Sequence, residues 1–105
     1  MLEPGCMVCA GAVINPGTRV GGHAILNTGC SVDHHGNIGA CAHIAPGTRL
    51  AGNVTVGEGA FVGIGSSVVQ GVRVGAWATV GAGAAVIEDV PDNVTVAGVP
   101  ARLIG

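Results

Sequence analysis

The stretch GTRLAGNVTVGEGAFVGIGSSVV, residues 47–69, carries an aliphatic residue at every sixth position. Extended outward in both directions, the same step of six meets Val, Ile or Leu at fifteen successive positions from Leu2 to Val86, without an insertion. A helix would require a period of about 3.6 residues, and a half-buried strand a period of two. A period of six predicts a short strand followed by a turn, repeated along the chain.

Two further registers accompany the aliphatic one. Two residues before each aliphatic position stands a mostly small residue, in a series that runs from Cys6 to Val90. Side chains two apart in a strand share a face, so both series should point inward. Three residues after each aliphatic position stands a turn residue, which is Gly nine times, and Asn53 and Asp89 also suit that place. Glycine and asparagine accept the positive φ that a tight turn needs.

Three such units close a triangle, so eighteen residues make one coil. Residues eighteen apart then stack at the strand spacing of about 4.8 Å. Five coils around a dry aliphatic interior account for the repeat. We predict an all-β protein with one β-helix domain over residues 1–91 and a C-terminal tail over residues 92–105 that packs on the helix end.

The composition narrows the classes of function. The chain has 105 residues with a net charge of −2, and its four cationic side chains are scattered arginines, so the basic patch of a nucleic-acid-binding protein is missing. Glycines interrupt every apolar run before it reaches membrane-spanning length, and the N-terminal residues lack the pattern of a signal peptide. We therefore expect a cytoplasmic protein without membrane or nucleic-acid partners.

Four cysteines leave two interpretations. Cys6 and Cys9 have the spacing of half a zinc site, but no second pair follows at the spacing of a zinc finger or ribbon. A disulfide framework would suit a secreted protein, and the sequence shows no signal peptide. We expect reduced thiols, with Cys6 and Cys30 as small core residues.

Three of the four histidines fall within ten residues, at positions 34, 35 and 43. By the period of six, His34 and His35 occupy the two turn positions of one corner. His43 directly precedes the inward-facing Ile44 and should point outward. A solvated surface imidazole is the ordinary interpretation of one such ring, but three on a surface of Gly, Ala and Asn suggest a site. His34 and His43 are half a coil apart, so they can meet only between subunits.

The histidine segment resembles a known family. V-D-H-x-x-x-I-G-x-x-x-H-I-A-P-G, residues 32–47, followed by L-A-G-N-V-T-V-G, residues 50–57, resembles the sialic-acid O-acetyltransferases and UDP-4-amino-sugar N-acetyltransferases. The resemblance extends from about Ile25 to Arg102. These hexapeptide-repeat acyltransferases are left-handed parallel β-helices. They form homotrimers with active sites between subunits and move acetyl from acetyl-CoA to an amine or hydroxyl of a sugar or sugar nucleotide.

The resemblance also implies roles for single residues. The residue matching His34 is the general base, and the one matching His43 contacts acetyl-CoA. Ile64 and Ala82 match residues that line the coenzyme path. The motif A-G-V-P-A-R, residues 97–102, resembles the family's closing motif and would bring Arg102 near a CoA phosphate; a solvated tail charge is the alternative for that arginine.

The chemistry of the residues agrees with these roles. An imidazole is suited to deprotonating an attacking amine or hydroxyl near neutral pH. Gly52 stacks one coil above His34, and its missing side chain would let a thioester approach the backbone. Its N–H is the candidate donor to the oxyanion.

A smooth column offers a path for the pantetheine arm. Its members are eighteen residues apart and stand beside glycines; they are Pro46, Ile64 and Ala82, next to Gly47, Gly65 and Gly83. Plain corner geometry is the alternative explanation, since any protein with this repeat would show some of it.

Two features depart from the family's pattern. The group usually has Asp or Glu directly after the catalytic histidine, where it orients the ring, and here that residue is His35. Asp33, on the other side, is the candidate to orient His34 instead, although neighbours in an extended strand point in opposite directions. The group also usually carries an N-terminal Rossmann-like domain, whereas this repeat begins at residue 2.

Two other functions compete with acetyl transfer. One is a non-catalytic trimeric module, or a relic that keeps the coenzyme groove. The other is a γ-class carbonic anhydrase, which shares the fold and holds zinc between subunits with two histidines five residues apart. No histidine pair here has that separation, so we expect no metal.

Overall fold

The structure is a computed structural model that describes all residues, 1–105. Sixteen short strands form the three sides of a triangular prism, and the chain measures 33 × 21 × 21 Å along its principal axes. No helical segment with the length and hydropathy to cross a membrane is present.

The strands group into three sheets, one for each side of the triangle. The seven-stranded sheet has the order β1 (Met7–Val8), β4 (Ile25–Leu26), β7 (His43–Ile44), β10 (Phe61–Val62), β13 (Thr79–Val80), β15 (Thr95–Ala97) and β16 (Arg102–Leu103). The five-stranded sheet has the order β14 (Ala85–Val86), β11 (Ser67–Val68), β8 (Arg49–Leu50), β5 (Ser31–Val32) and β2 (Val13–Ile14). The four-stranded sheet has the order β12 (Arg73–Val74), β9 (Thr55–Val56), β6 (Asn37–Ile38) and β3 (Arg19–Val20).

Neighbouring strands pair in parallel with a shift of eighteen residues. In the seven-stranded sheet, Ile25 pairs with His43 and His43 with Phe61. Leu2 forms a bridge with Val20, which brings the first repeat into the same stack. The all-β fold of stacked eighteen-residue coils that the sequence predicts is confirmed.

The interior is aliphatic, as the period requires. Every member of the aliphatic register from Val20 to Val86 is buried, and the core of 22 buried residues consists of Val, Leu, Ile, Ala and Cys. Burying one such large side chain stabilises a fold by roughly 1.5–3 kcal/mol. The middle coils therefore hold most of the stabilising contacts, because Leu2 and Val8 are exposed.

Three hydroxyls belong to the small inward register and are buried without loss of hydrogen bonding. Thr48 Oγ1 donates to the Gly63 carbonyl at 3.0 Å, and Ser66 Oγ donates to the Gly81 carbonyl at 2.9 Å. Thr18 Oγ1 donates in the same way to the carbonyl of Asp33, at 3.1 Å. Each hydroxyl reaches the carbonyl fifteen residues on, so it ties its own corner to the coil above. A buried polar group that finds its partner avoids the free-energy penalty of desolvation.

The cysteines are separate thiols. Cys30 is buried in the core, and Cys6 is half-buried and packs against it. Burial raises the pKa of the Cys30 thiol, and the neighbouring Cys9 raises it further. Cys41 is exposed at a corner.

The turn position takes a left-handed backbone whatever its side chain. All nine predicted glycines have φ between 66° and 81°, and five other residues at the same position have φ between 55° and 61°: His23, His35, Cys41, Asn53 and Trp77. A left-handed conformation costs a residue with a Cβ about 1–2 kcal/mol. The closed triangle therefore imposes this geometry even where the side chain disfavours it.

The period of six ends after Val86. In the last coil Val74 forms a bridge with Val90 and Val80 pairs with Val96, sixteen residues on instead of eighteen. Val90 thus belongs to the aliphatic register, which corrects its predicted place in the small one. The prediction of a left-handed turn at Asp89 is also wrong, because the shortened repeat lacks that turn. The Asp89 carboxylate instead accepts a hydrogen bond from the Arg73 N–H at 2.8 Å.

The last residues continue the stack and then reverse. β15 pairs in parallel with β13, and β16 turns back to pair with β15 in the antiparallel sense. The Ala101 N–H donates to the Ala85 carbonyl at 2.8 Å, which fixes the returning segment to the last full coil.

We expect amide exchange to be at least about tenfold faster in residues 2–18 than in residues 38–74. The first coil leaves Met7, Val8 and Val13 between 41% and 56% exposed, whereas the middle coils bury their aliphatic residues. Local opening is easiest where few apolar contacts are lost. Hydrogen–deuterium exchange of the 105-residue chain, read by NMR, measures the difference. Equal protection along all coils would contradict the expectation and would indicate end-to-end association.

Candidate functional site

His34 and His35 stand at the corner between β5 and β6, and both are exposed. The corner backbone is held from both sides. Asp33 Oδ1 accepts a hydrogen bond from the His34 N–H at 2.8 Å, and the Asn53 N–H of the next coil donates to the His34 carbonyl at 3.0 Å. Thr18 secures the carbonyl of Asp33 from inside. The peptide that carries His34 is therefore fixed although its ring faces solvent.

The two imidazoles contact each other through their Nδ1 atoms, which are 3.3 Å apart. The ring centroids are 5.4 Å apart and the planes cross at 78°. The rings lean in opposite directions along the prism axis. A Cβ added at Gly52, one coil up, would lie 2.6 Å from His34 Nε2, and a Cβ at Gly17, one coil down, would lie 2.6 Å from His35 Cδ2. Each ring thus rests on a glycine.

Asp33 does not orient the His34 ring in the way the sequence suggested. Its Oδ1 accepts from the His34 backbone N–H and from Asn15 Nδ2, at 3.3 Å, and the hydrogen-bond partner of the ring is His35. The physical reason is that the carboxylate folds back and binds the first N–H of the turn, so its oxygen is occupied by the backbone.

Gly52 lies next to His34 as the coil predicts, but its surroundings differ from the expectation. The space that its missing side chain leaves is filled by the His34 ring, so a thioester cannot occupy it. Gly52 is a buried residue, and its N–H donates to no acceptor in the chain. The group therefore remains able to bind an incoming oxygen.

His43 lies on the middle of the seven-stranded sheet and is half-buried. The Phe61 ring meets it edge to face, with centroids 5.1 Å apart. Asn27 Nδ2 lies 3.3 Å from His43 Nε2. An amide nitrogen can only donate, so Nε2 accepts, and a neutral His43 carries its proton on Nδ1.

The corner that follows the seven-stranded sheet is smooth. The Gly65 N–H donates to the Pro46 carbonyl at 3.0 Å, and the Gly83 N–H donates to the Ile64 carbonyl at 2.7 Å. A Cβ at Gly65 or Gly83 would meet nothing within 4 Å, so the column faces open space. Two coils separate Pro46 from Ala82, a distance of about 10 Å. We call this column of Pro46, Ile64 and Ala82 with the three adjacent glycines the glycine corner.

The closing motif ends the glycine corner. Gly98 stands where the sixteen-residue shift puts the successor of Ala82, and its carbonyl accepts from the Ala85 N–H at 3.0 Å. Arg102 is exposed on β16 and makes no ion pair. It borders a cavity of about 340 Å³ that Glu88 and Asp89 also line. A phosphate bound by Arg102 would therefore have to lie away from these carboxylates.

Within one chain the predicted site residues form two separate groups. His34, Gly52 and Asp33 share the corner after the five-stranded sheet. The remainder follow the seven-stranded sheet and the glycine corner; they are His43, Ile64, Ala82, Gly65, Gly83 and, at the end, Arg102. No three His, Cys, Asp or Glu side chains of the chain lie close enough together to hold a metal ion.

A polar groove next to the His34 corner was not predicted from the sequence. It is a depression of about 350 Å³ on the outer face of the five-stranded sheet, and its polar lining residues are Asn15, Ser31, Asp33, Arg49 and Ser67. Arg49 lies across it and donates through Nη1 to the Gly29 carbonyl. Ser31, Arg49 and Ser67 are the outward residues of one strand position in successive coils. The period could have revealed this alignment, but the three residues match no chemical motif.

Comparison with solved structures gives several close similarities. The acetyltransferase domain of PglB from Neisseria gonorrhoeae FA1090, in complex with acetyl coenzyme A, shares 37% identity over 98% of this chain, with a TM-score of 0.90. PerB from Caulobacter crescentus, in complex with CoA and GDP-perosamine, shares 44% identity over 99% of this chain, with a TM-score of 0.91.

The similarity covers only part of those proteins. This chain spans about half the length of both, 53% in each case. A maltose O-acetyltransferase from Clostridium difficile 630 has a TM-score of 0.86 at 22% identity, which shows the fold alone. No protein-family model matches the sequence, and no curated protein matches it.

We expect Gly52→Ala to displace the His34 ring without unfolding the chain. The backbone of Gly52 is not left-handed, but the new Cβ would lie 2.6 Å from Nε2 and 2.7 Å from Cε1, so the imidazole must move. NMR of histidine-labelled protein should show shifted resonances for His34 and for its partner His35, and unchanged resonances for His23 and His43.

Gly22→Ala is the matched control, because Gly22 holds the equivalent place in another corner and a Cβ there meets only the Pro4 carbonyl, at 3.3 Å. It should leave the His34 resonances in place. Unchanged His34 resonances in Gly52→Ala would show that the ring does not rest on this glycine.

Proposed function

We propose that this chain, whose structural neighbours are hexapeptide-repeat acetyltransferases, transfers acetyl from acetyl-CoA to an amine or hydroxyl of a sugar or sugar nucleotide. The observation that carries the proposal is the exposed His34 ring, held by His35 and Gly52 in a chain that is 37% and 44% identical to two acetyltransferases. Acetyl coenzyme A or CoA is bound to those two proteins, and GDP-perosamine to one of them.

His34 acts as the general base. It takes the proton of the attacking amine or hydroxyl while the nitrogen or oxygen forms a bond to the thioester carbonyl carbon. The Gly52 N–H, which has no partner in the chain, stabilises the negative oxygen of the tetrahedral intermediate. The C–S bond then breaks, and His34 returns the proton to the CoA thiolate that leaves.

The glycine corner holds the pantetheine arm. Its open glycines let an extended chain lie against the backbone, and Ile64, which is 60% exposed, offers apolar contact. His43 lies on the sheet that leads into this corner, and its Nδ1–H is available to donate to a carbonyl of the coenzyme. Arg102 and the closing motif stand at the end where the nucleotide would lie.

The acceptor binds in the polar groove beside Asp33. Hydroxyl, amide, carboxylate and guanidinium groups line that groove. All four can bind sugar hydroxyls, and the guanidinium can bind a diphosphate. The groove ends at the corner that carries His34. An acceptor amine or hydroxyl can therefore approach the base from this side.

The site is completed by a second subunit. The base and the glycine corner stand at opposite ends of the strands of the five-stranded sheet. A homotrimer would bring the His34 corner of one chain to the glycine corner of the next. Val13 on the five-stranded sheet and Ile64 in the glycine corner are exposed apolar side chains that a contact between subunits would bury.

We expect His34→Ala to lower the rate of acetyl transfer by roughly 10²–10⁴-fold, the usual contribution of a general base. Folding and acetyl-CoA affinity should stay unchanged, because the ring is exposed and faces the acceptor. His43→Ala should instead weaken acetyl-CoA binding. Calorimetric titration with acetyl-CoA and a screen of amino sugars and sugar nucleotides measure both effects.

His23→Ala serves as the control, since His23 is an exposed corner histidine whose ring contacts neither the His34 ring nor the His43 ring. Full activity in His34→Ala would end the mechanism. A wild-type chain that binds acetyl-CoA and acetylates no acceptor would favour the non-catalytic module.

We expect the protein to be a trimer at micromolar concentration. Native mass spectrometry should show three copies of the 10.1 kDa chain. A stable monomer that still transfers acetyl would contradict the two-subunit site.

A further inference from the structure

We infer that His35 is a positioning residue, which accepts a hydrogen bond from the Nδ1–H of His34 and so leaves Nε2 of His34 free to take a proton. The inference rests on the proposed function, because the contact alone allows either ring to donate and a general base requires a free Nε2. The structural part concerns only which nitrogen of His34 carries the hydrogen, and it can be tested in a chain that transfers nothing.

The contact between the rings allows two arrangements. The Nδ1 atoms are 3.3 Å apart, and a neutral imidazole has one nitrogen that donates and one that accepts. If His34 donates, its Nε2 holds a lone pair and can act as a base. If His35 donates, His34 carries its hydrogen on Nε2 and cannot accept a proton there. A base therefore requires the first arrangement.

No other group of the corner can select the tautomer. The carboxylate of Asp33 bonds the His34 backbone and the Asn15 amide, and neither bond reaches a ring nitrogen. Gly52 contacts the other edge of the His34 ring but supplies no side chain. His35 is the hydrogen-bond partner of the ring, so orientation and tautomer both depend on it.

His35 is itself held in place. Its backbone is left-handed, with φ at 55°, and its ring rests on Gly17. The His35 N–H donates to the Pro16 carbonyl at 3.1 Å. A partner fixed in this way can hold a second ring in one orientation, because the hydrogen bond at one ring nitrogen decides which nitrogen carries the proton.

A matched corner shows what His35 adds. His23 has φ at 61° and rests on Gly5, as His35 rests on Gly17, but no second imidazole contacts it. His23 and His35 therefore share a left-handed backbone and a ring that packs on a glycine. They differ in that only His35 contacts a second imidazole through Nδ1. An effect that both substitutions produce comes from the altered corner backbone. An effect that only the substitution at position 35 produces comes from the lost contact with His34.

The test uses His35→Gly, His35→Asn and the control His23→Gly. Glycine suits a left-handed turn, so both glycine variants should fold. Asparagine also tolerates this backbone, and its amide oxygen stands where Nδ1 of histidine stands, so His35→Asn keeps the acceptor. The first measurement is the ¹⁵N spectrum of histidine-labelled protein at about pH 8, where imidazoles are mostly neutral. The second is the kinetics of acetyl transfer.

We expect His34 to carry its hydrogen on Nδ1 in the wild type, in His35→Asn and in His23→Gly, and to become a mixture of tautomers in His35→Gly. The kcat for transfer should fall roughly 10–100-fold in His35→Gly, with KM for acetyl-CoA unchanged, and should return to within about threefold of wild type in His35→Asn.

A wild-type His34 with its hydrogen on Nε2 would overturn the inference even if the chain acetylates sugars. Equal losses of kcat in His35→Gly and His35→Asn would overturn it as well. A chain without transferase activity that shows the expected tautomers would refute the proposed function and leave the positioning of His34 standing.

Discussion

Successive coils of this β-helix lie about 4.8 Å apart, and every corner side chain must share that distance with the residue stacked on it. A ring that folds along the axis leaves no room for a second side chain. Four rings at the corners accordingly rest on glycines: His23 on Gly5, His35 on Gly17, His34 on Gly52 and Trp77 on Gly59. Coil spacing thus decides where an imidazole can be held still on an otherwise bare surface, and the candidate base depends on it.

The period of six was enough to predict the architecture, because one inward aliphatic residue per side is the dominant source of stability. It predicted the stacking of Ile25, His43 and Phe61 and the left-handed turns at the glycines. It failed at Asp89, where the chain drops two residues and continues the stack at Val90. A repeat predicts where strands recur. It does not reveal a shortened corner, because the residues of the next strand are the same kind as in every other strand.

The candidate site was predictable to a smaller extent. The period assigns each side chain to the inside or the outside, so it set His34 and His43 on the surface and Gly52 beside His34. It does not tell whether an outward ring leans up or down the axis, since that is a rotamer fixed by neighbours. The His34 ring lies toward the next coil and the His35 ring toward the preceding one. With these rotamers the two Nδ1 atoms meet, and Asp33 makes no contact with the His34 ring.

The sixteen-residue last coil shows that the number of preceding strands, and not the number of residues, decides on which side of the prism a segment lies. Two residues disappear before Val90, yet Val96 still stacks on Val80, so the three sides keep their identity. Loss or gain of one strand would act differently, because it would turn everything downstream by a third of a revolution. The closing motif would then leave the glycine corner for another edge. A change in the length of one corner therefore leaves every later strand on its own side of the prism. An inserted repeat would move all later strands to the next side, unless three repeats were inserted together.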